Sequence, residues 1–423
     1  CRDMAGRTNG RLEAGRVDDA TPSFTLLDMF CGAGGLSLGF QQAGFKVISA
    51  FDSWLPAVET YRVNFDHPCH QLEISQSLKL PPVDVVAGGP PCQGFSSAGT
   101  RRPDDSRNTL VSVFANLIAR EKPRAFVFEN VEGFLTGSDG HFVFELLQPV
   151  IEAGYRVHVR KVNAANYGVP QHRKRVIAIG GLGWDPGFPL PSHSAIGAPG
   201  AHLANGSASA AAVSLAEALG VLPEPSLSED DAPIPDHFYT PLKDDDLNRA
   251  KLLRPGERMR DLPEELWHKS YRRRAFRRVM DGTPTERRGG APAGIRRLKS
   301  DEPSKAITSG ALREFIHPKD DRPLSLRECA LLQTFPLGFR FSGSVADRIQ
   351  LIGNAVPPLL AQCIAQSLMR DLREQSGAAP GALLSFVPTL SEGMSPALAS
   401  VTRRVFELFR VRQGSHYQAT LWD

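Results

Sequence analysis

The sequence lacks any Cys-x-x-Cys pair. Its six cysteines stand singly at 1, 31, 69, 92, 329 and 363. That spacing argues against a zinc ribbon and against a thioredoxin-type redox pair. No metal is therefore expected, and the thiols read as reduced cysteines of a cytosolic chain. No apolar run is long enough to span a membrane, and no secretory hydrophobic segment is visible. A strong net charge is also missing. The chain has 49 Lys and Arg against 46 Asp and Glu, +3 over 423 residues. No global field marks a nucleic-acid partner, so only a local concentration of charge can. Internal repeats are absent as well. What is left, 41% hydrophobic and 22% charged residues, is ordinary globular composition with room for two or three domains.

Residues 1–23 are polar and aperiodic and read as a disordered leader. From Phe24 a rhythm begins. Phe24 to Phe30 is an apolar strand, Cys31 to Gly35 a turn, Leu36 to Ala43 a helix and Lys46 to Phe51 a second strand. Strands follow at Val83–Ala87, Ala125–Phe128, Arg156–Asn163 and Val176–Gly180, with helices at Thr109–Glu121 and Phe142–Ala153. Alternation of this kind predicts an α/β fold with a mostly parallel sheet covered on both faces. Residues 184–236 are rich in Pro, Ala, Gly and Ser, with one short helix at Ser214–Leu219. Residues 240–299 hold 17 Lys and Arg against nine Asp and Glu, a local +8. Helical patterning returns at Ser325–Thr334 and Leu359–Leu372. The tail from Glu374 reads as irregular, with one helix near Ala397–Val411.

Chemistry gathers at strand ends. The first turn, Asp28-Met29-Phe30-Cys31-Gly32-Ala33-Gly34-Gly35, lets backbone approach a ligand at a helix N-terminus. It is not the dinucleotide spacing. Asp52 ends the second strand about 20 residues on, where such folds place an acid on ribose hydroxyls. A nucleoside suits this turn better than a pyrophosphate, since no Lys or Arg is there to meet phosphate. The stretch Gly88-Gly89-Pro90-Pro91-Cys92 fixes a thiol past a buried strand. From these residues alone it is a nucleophile, a metal ligand or a packing accident. The next strand ends in Glu129-Asn130. A carboxylic acid beside a thiol suits addition to a ring with protonation of a ring nitrogen. Gln171-His172-Arg173-Lys174-Arg175 precedes a third strand, and its alternating arginines suit a phosphate or a carbonyl oxygen.

With those residues in view, the sequence resembles the DNA (cytosine-5)-methyltransferases, of the prokaryotic restriction-modification type. Six stretches match in the family's order: DMFCGAGGLSLGF (28–40), GGPPCQGFS (88–96), ENVEGF (129–134), QHRKRVIAIG (171–180), RECALLQTFP (327–336) and IGNAVPP (352–358). Together they span roughly residues 25–370. The resemblance implies a Rossmann-like S-adenosylmethionine-dependent sheet with a second, smaller, mostly irregular target-recognition domain. It implies a catalytic domain over 24–183 that resumes at 323–373, a recognition domain at 184–322, and an extension of unknown role at 374–423.

Residue by residue, the resemblance assigns Phe30, Gly32, Ala33, Gly35, Leu36, Asp52, Glu73, Pro91, Leu110, Asn354 and Val356 to S-adenosylmethionine. Cys92 matches the nucleophile, Glu129 the acid at cytosine N3, and Arg173 and Arg175 the arginines near the target base. Ser53 stands where some members carry an aromatic on adenine, and Trp54 is a substitute for it. Asn108 replaces a frequent glycine. Gln93 to Arg107 would be a closing loop, with Gln93, Ser96, Arg101 and Arg107 on the DNA. The +8 stretch falls in the expected recognition region, where Arg287, Arg288, Arg296 and Arg297 are candidates for base contact. The implied partner is double-stranded DNA, with no membrane, for a monomeric, cytoplasmic, nucleoid-associated enzyme genetically paired with a restriction endonuclease. Two other readings are a catalytically dead DNA-binding relative and a tRNA-directed relative. The Cys-Phe-Thr signature of the latter is absent from the sequence.

Overall fold

The computed structural model describes residues 23–91, 109–194, 210–269, 271–272, 294–375, 378–390 and 393–409. The strands are β1 (Thr25–Met29), β2 (Lys46–Asp52), β3 (Cys69–Gln71), β4 (Val85–Gly88), β5 (Ala125–Asn130), β6 (Tyr155–Asn163), β7 (Gln171–His172) and β8 (Lys174–Leu182), then β9 (His193–Ser194), β10 (Ala210–Ala211), β11 (Arg296–Arg297), β12 (Ser304–Lys305), β13 (Phe315–Ile316) and β14 (Ala382–Val387). The α-helices are α1 (Gly35–Gln42), α2 (Leu55–Asn64), α3 (Leu110–Glu121), α4 (His141–Glu152), α5 (Leu215–Leu219), α6 (Asp244–Leu252), α7 (Ala311–Glu314), α8 (Leu326–Leu332), α9 (Val345–Asn354), α10 (Pro358–Glu374) and α11 (Pro396–Phe409).

Eight strands form one sheet in the order β14-β6-β8-β5-β4-β1-β2-β3. All pairs are parallel except those made by β8, which runs antiparallel to both β5 and β6. Period-two alternation explains the layers. Leu26, Val85, Val127, Ile177 and Ile179 face α1 and α10 in one core. Leu27, Val86, Phe126, Phe128 and Val176 face α3 and α4 in another. Apolar residues on both faces are what a covered, mostly parallel sheet requires. The tail is more ordered than its composition predicts: residues 382–387 form β14, an edge strand paired in parallel with β6. Leu383 and Phe386 bury its inner face, together with Val401 and Val405 of α11.

Between Ala210 and Arg322 the elements are short. Their small core comprises Ala250, Leu253, Met259, Leu262, Tyr271, Ile295 and Ile316. Short elements are what the aperiodic patterning of this stretch predicts. Polar bonds supplement that core, and Arg297 is their centre. It is 5% exposed and donates to the carbonyls of Ala250, Leu253, His317 and Asp320. It also pairs with Asp321.

The late helix returns to the first one by close contact. A methyl at Gly39 of α1 would stand 2.4 Å from Pro358 O and 2.5 Å from the Ala361 methyl of α10. Only glycine lets the two helices approach so far. Gly39→Ala is expected to cost about 1–3 kcal/mol of stability by overpacking. Urea unfolding measures it, and an unchanged midpoint would show that the helices are not locked at this point.

Candidate active site

Four strands bring their C-terminal ends to one sheet edge. Met29 pairs with Gly88, Gly88 with Phe128 and Met29 with Phe51. The turn at Phe30, the Gly89-Pro90 segment, Glu129-Asn130 and Asp52 therefore line up just beyond that row. The reversal of β8 adds a fifth element. Asn130 lies opposite Val176, so Arg173, just before β8, and Arg175, at its start, reach the same edge. A parallel β8 would have sent them to the opposite one.

Phe30, Gly32 and Gly34 all have positive φ (59°, 53° and 87°). For Phe30 this is a strained conformation, tolerated because the surrounding bonds fix it. Cys31 N–H donates to Phe51 O, and Gly32 N–H donates to Asp52 Oδ2 at 2.9 Å. The other carboxylate oxygen takes Trp54 N–H at 2.9 Å. Asp52 is thus held by backbone donors at the end of β2, and each of its oxygens keeps a lone pair. Nothing stands within 4 Å of where a Cβ on Gly32 would be, so space is open beside the turn. Open backbone next to an anchored acid fits the sugar of a nucleoside. The chemistry of the donor set is compatible with S-adenosylmethionine.

The late turn closes this end. A Cβ on Gly35 would lie 2.0 Å from Val356 O. Val356 is buried and Asn354 exposed. Leu36 and Ala33 are buried as well, so Leu36 reaches a ligand only through its backbone. Leu110 opens α3 behind the Thr109 cap and is half-buried. Glu73 is exposed, two residues past β3, the strand that adjoins β2. Trp54 is half-buried, packed on the second core cluster.

The substrate end is built around Glu129. Its side chain is only 9% exposed, and Arg175 Nε lies 2.8 Å from Oε1 as an ion pair. A Cβ on Gly89 would come within 3.1 Å of Glu129 Oε2, so the glycine there makes room for the acid. Asn130 Nδ2 donates to Pro90 O at 3.0 Å, and Asn130 Oδ1 accepts from Val131 N–H at 2.9 Å. The segment entering Cys92 is therefore tied directly to the strand that carries Glu129. Pro91 is exposed. Cys92, Gln93, Ser96, Arg101, Arg107, Arg287 and Arg288 lie outside the described residues. Among the described residues no group of His, Cys, Asp and Glu could hold a metal.

Two expected ligand arginines are internal instead. Arg173 is completely buried. Its guanidinium donates to Ile307 O, Gly353 O and Ala355 O at 2.8–2.9 Å. It cannot also meet a base, so it splits from Arg175, which stays at the site. Arg297 is withdrawn for the same reason, its donors being spent on carbonyls of its own region. Arg296 is half-buried and remains open to a ligand.

Sequence reasoning also missed Gln171 and Gln333. Gln171 Nε2 donates to Leu332 O and to Gln333 Oε1, and its Oε1 accepts from Ile307 N–H. Gln333 Nε2 bonds Ile352 O in turn. For Gln333 the signal available was a polar residue inside an apolar run, which marks buried hydrogen bonding as readily as ligand contact; Gln171, in a polar and basic stretch, carried no such signal.

Comparison with known proteins gives a consistent result. Residues 24–370 match the family model described as C-5 cytosine-specific DNA methylase. The chain is 34% identical over 361 residues to Type II methyltransferase M1.HphI of Haemophilus parahaemolyticus, covering 82% of this chain and 87% of that protein. It is 33% identical over 428 residues to Type II methyltransferase M.AgeI of Thalassovita gelatinovora, covering 81% and 98%. A solved structure of an E. coli prophage-encoded chain, described as a DNA modification methyltransferase, superposes with a TM-score of 0.62 at 25% identity. That match covers 83% of this chain and all of that one.

The first turn also carries a titration. Asp28 is fully buried and accepts from Ser37 Oγ at 2.7 Å and Ser37 N–H at 3.2 Å. Burial pushes its pKa from 3.8 up to about 7, against the pull of Ser37 and with a push from Asp52. The folded chain therefore keeps a proton that the unfolded chain loses above 3.8. Stability from this group is full below about pH 4 and is lost as pH rises to about 7, at about 1.4 kcal/mol per pH unit. Denaturation of wild type and Asp28→Asn across that range is expected to show the slope in wild type only. Parallel profiles would contradict the assignment.

Proposed function

Since the chain belongs to the C-5 cytosine-specific DNA methylases, and is thus a DNA cytosine-5 methyltransferase, we propose that it methylates one cytosine of a specific duplex sequence through a covalent Cys92 adduct. The observation that carries this reading is the shared edge. Glu129, paired with Arg175, is hydrogen-bonded through its neighbour Asn130 to the Pro90 carbonyl two residues before Cys92.

Cytosine C5 is too weak a nucleophile to take a methyl group unaided. The Cys92 thiolate adds to C6 while the Glu129 carboxyl gives a proton or hydrogen bond to N3, and C5 becomes the carbon of an enamine. Arg175 holds Glu129 in place for that contact. Asp52, the Phe30–Gly35 turn and the Asn354–Val356 turn would hold S-adenosylmethionine, which when bound would supply an electrophilic methyl group for C5. The C5 proton then leaves to a base, the C5–C6 double bond re-forms and Cys92 departs. C6 lies inside the stack of a duplex, so the target nucleotide is flipped into the site. The 93–107 segment closes over it, with Gln93, Ser96, Arg101 and Arg107 toward DNA.

Recognition is assigned to residues 184–322, with Arg287, Arg288 and Arg296 as base-reading candidates. The domain limits stay as read from the sequence. A monomer acting in the cytoplasm, beside a restriction endonuclease of the same specificity, is the role that suits the Type II relatives. Among the described residues no helix is long and apolar enough to cross a membrane.

Labelled methyl donor with duplex DNA or tRNA tests the reading. Label is expected in DNA alone, at C5 of one cytosine context by bisulfite sequencing. Glu129→Gln is expected to lower turnover about 10²- to 10⁴-fold while leaving S-adenosylmethionine affinity intact. Label in tRNA only, or none in either, would overturn the proposal.

A further inference from the structure

A cleft of about 250 Å³ lies beside the β7–β8 strands, and of its lining only Arg296 has been given a ligand-binding role so far. Its lining includes Gly256, Arg296, Lys299, Glu302 and Lys305. One wall is joined to the target-base side. β12 pairs with β7, Ser304 against Gln171 and Lys305 against His172, and Ser304 N–H donates to Pro170 O. β7 leads directly into Arg173 and Arg175. His172 senses this neighbourhood: burial first and then the Lys305 ammonium hold its pKa below the ordinary value.

The cleft is crowded with positive charge. Arg296 sits across an isolated bridge from Arg258. Burial first and then Arg258 lower its pKa, against the pull of Glu314 and Asp261. One carboxylate serves two ammonium groups. Glu302 lies 3.7 Å from Lys299 Nζ and 3.6 Å from Lys305 Nζ. All three side chains are 37–44% exposed, so water competes for these pairs and a better anion exchanges with them easily. Lys299 is nevertheless directed. Its stem packs on Gly256, where a Cβ would meet Lys299 Cε at 2.6 Å.

We infer that Lys299 and Lys305, together with Arg296 turned to phosphate rather than to a base edge, form a seat for one backbone phosphate of the duplex, which the Glu302 carboxylate occupies until DNA displaces it. A phosphodiester carries one negative charge, as the carboxylate does. Its two free oxygens can meet both ammonium groups and the guanidinium fork together. Wall and target site share the β7–β12 pairing, so a phosphate seated here lies alongside a base brought to Glu129. The exchange also makes weak anions compete with a built-in one. The inference rests on duplex DNA being the substrate, as proposed above.

The test is binding of the full chain to a methylatable duplex over a range of salt. Each phosphate contact contributes about 0.9 to the slope of log Kd against log salt. Lys299→Gln with Lys305→Gln is expected to reduce the slope by about one. Glu302→Gln is expected to move the other way, tightening binding about three- to tenfold at low salt, the worth of its two exposed ion pairs. Lys122→Gln, at the end of α3 and the opposite edge of the sheet, is expected to match wild type. Equal S-adenosylmethionine affinity in all four proteins verifies their folds. A double variant with wild-type slope and affinity, or a Glu302→Gln variant that binds more weakly, overturns the seat while leaving the methylation reading standing. A wild-type chain that binds no duplex overturns both.

Discussion

A fully buried arginine holds the two halves of the site together. Arg173 carries its charge into the interior and meets it with three backbone carbonyls. Two of these, on Gly353 and Ala355, belong to the end of α9, where helical carbonyls lack partners of their own. A cation at that end is also favoured by the helix dipole. The third, on Ile307, lies just after β12. Gln171 and Gln333 extend the knot to Leu332 and Ile352. Removing Arg173 would leave several buried carbonyls unpaired, a cost of the largest kind that a single side chain can carry. Through this one residue the strand that carries Arg175 fixes the turn that packs on Gly35.

The rest of the site follows from sheet geometry. Strand ends are cheap places for chemistry, because the strand is rigid and the loop beyond it is free to vary. Parallel β1, β2, β4 and β5 deliver the Phe30 turn, Asp52, the Pro90 segment and Glu129. Antiparallel β8 delivers Arg175 from its starting end. Glycines act where bodies must touch: Gly89 against Glu129, Gly35 against Val356 and Gly39 against α10. The stretch between Ala210 and Arg322 contributes a smaller core, braced by the carbonyl bonds of Arg297.

Much of this was legible in the sequence, and the reason is periodicity. β1, β2, β4 and β5 are largely apolar runs bounded by turn residues, β6 alternates apolar with polar, and Glu129 and Asp52 stand at strand ends. α2 escaped because its pattern is only weakly amphipathic, and β3 because three residues carry no period. β14 was hidden in a tail rich in Gly, Ala and Pro, where tertiary pairing with β6 decides the conformation. The arginines mark the sharper limit. Arg173, Arg175, Arg296 and Arg297 are alike in sequence, set in basic surroundings beside strands. Whether a guanidinium faces solvent, a carboxylate or a nest of carbonyls depends on contacts well outside its own stretch of sequence, as between Arg173 and Gly353 or Arg175 and Glu129. The orientation of β8, which decides what reaches the edge, is a pairing choice that the sequence pattern does not carry.

The central claim is covalent: Cys92 attacks C6 of a cytosine in duplex DNA. A duplex with 5-fluorocytosine at the methylated position tests it most directly, since fluorine cannot leave C5 as a proton does and the adduct cannot collapse. Incubation with the methyl donor, followed by denaturing electrophoresis and mass analysis of peptides, is predicted to give one DNA strand bound to the peptide that holds Cys92, and none with Cys92→Ser. An adduct on another residue, or methylation of ordinary cytosine by the Cys92→Ser protein, would contradict the account.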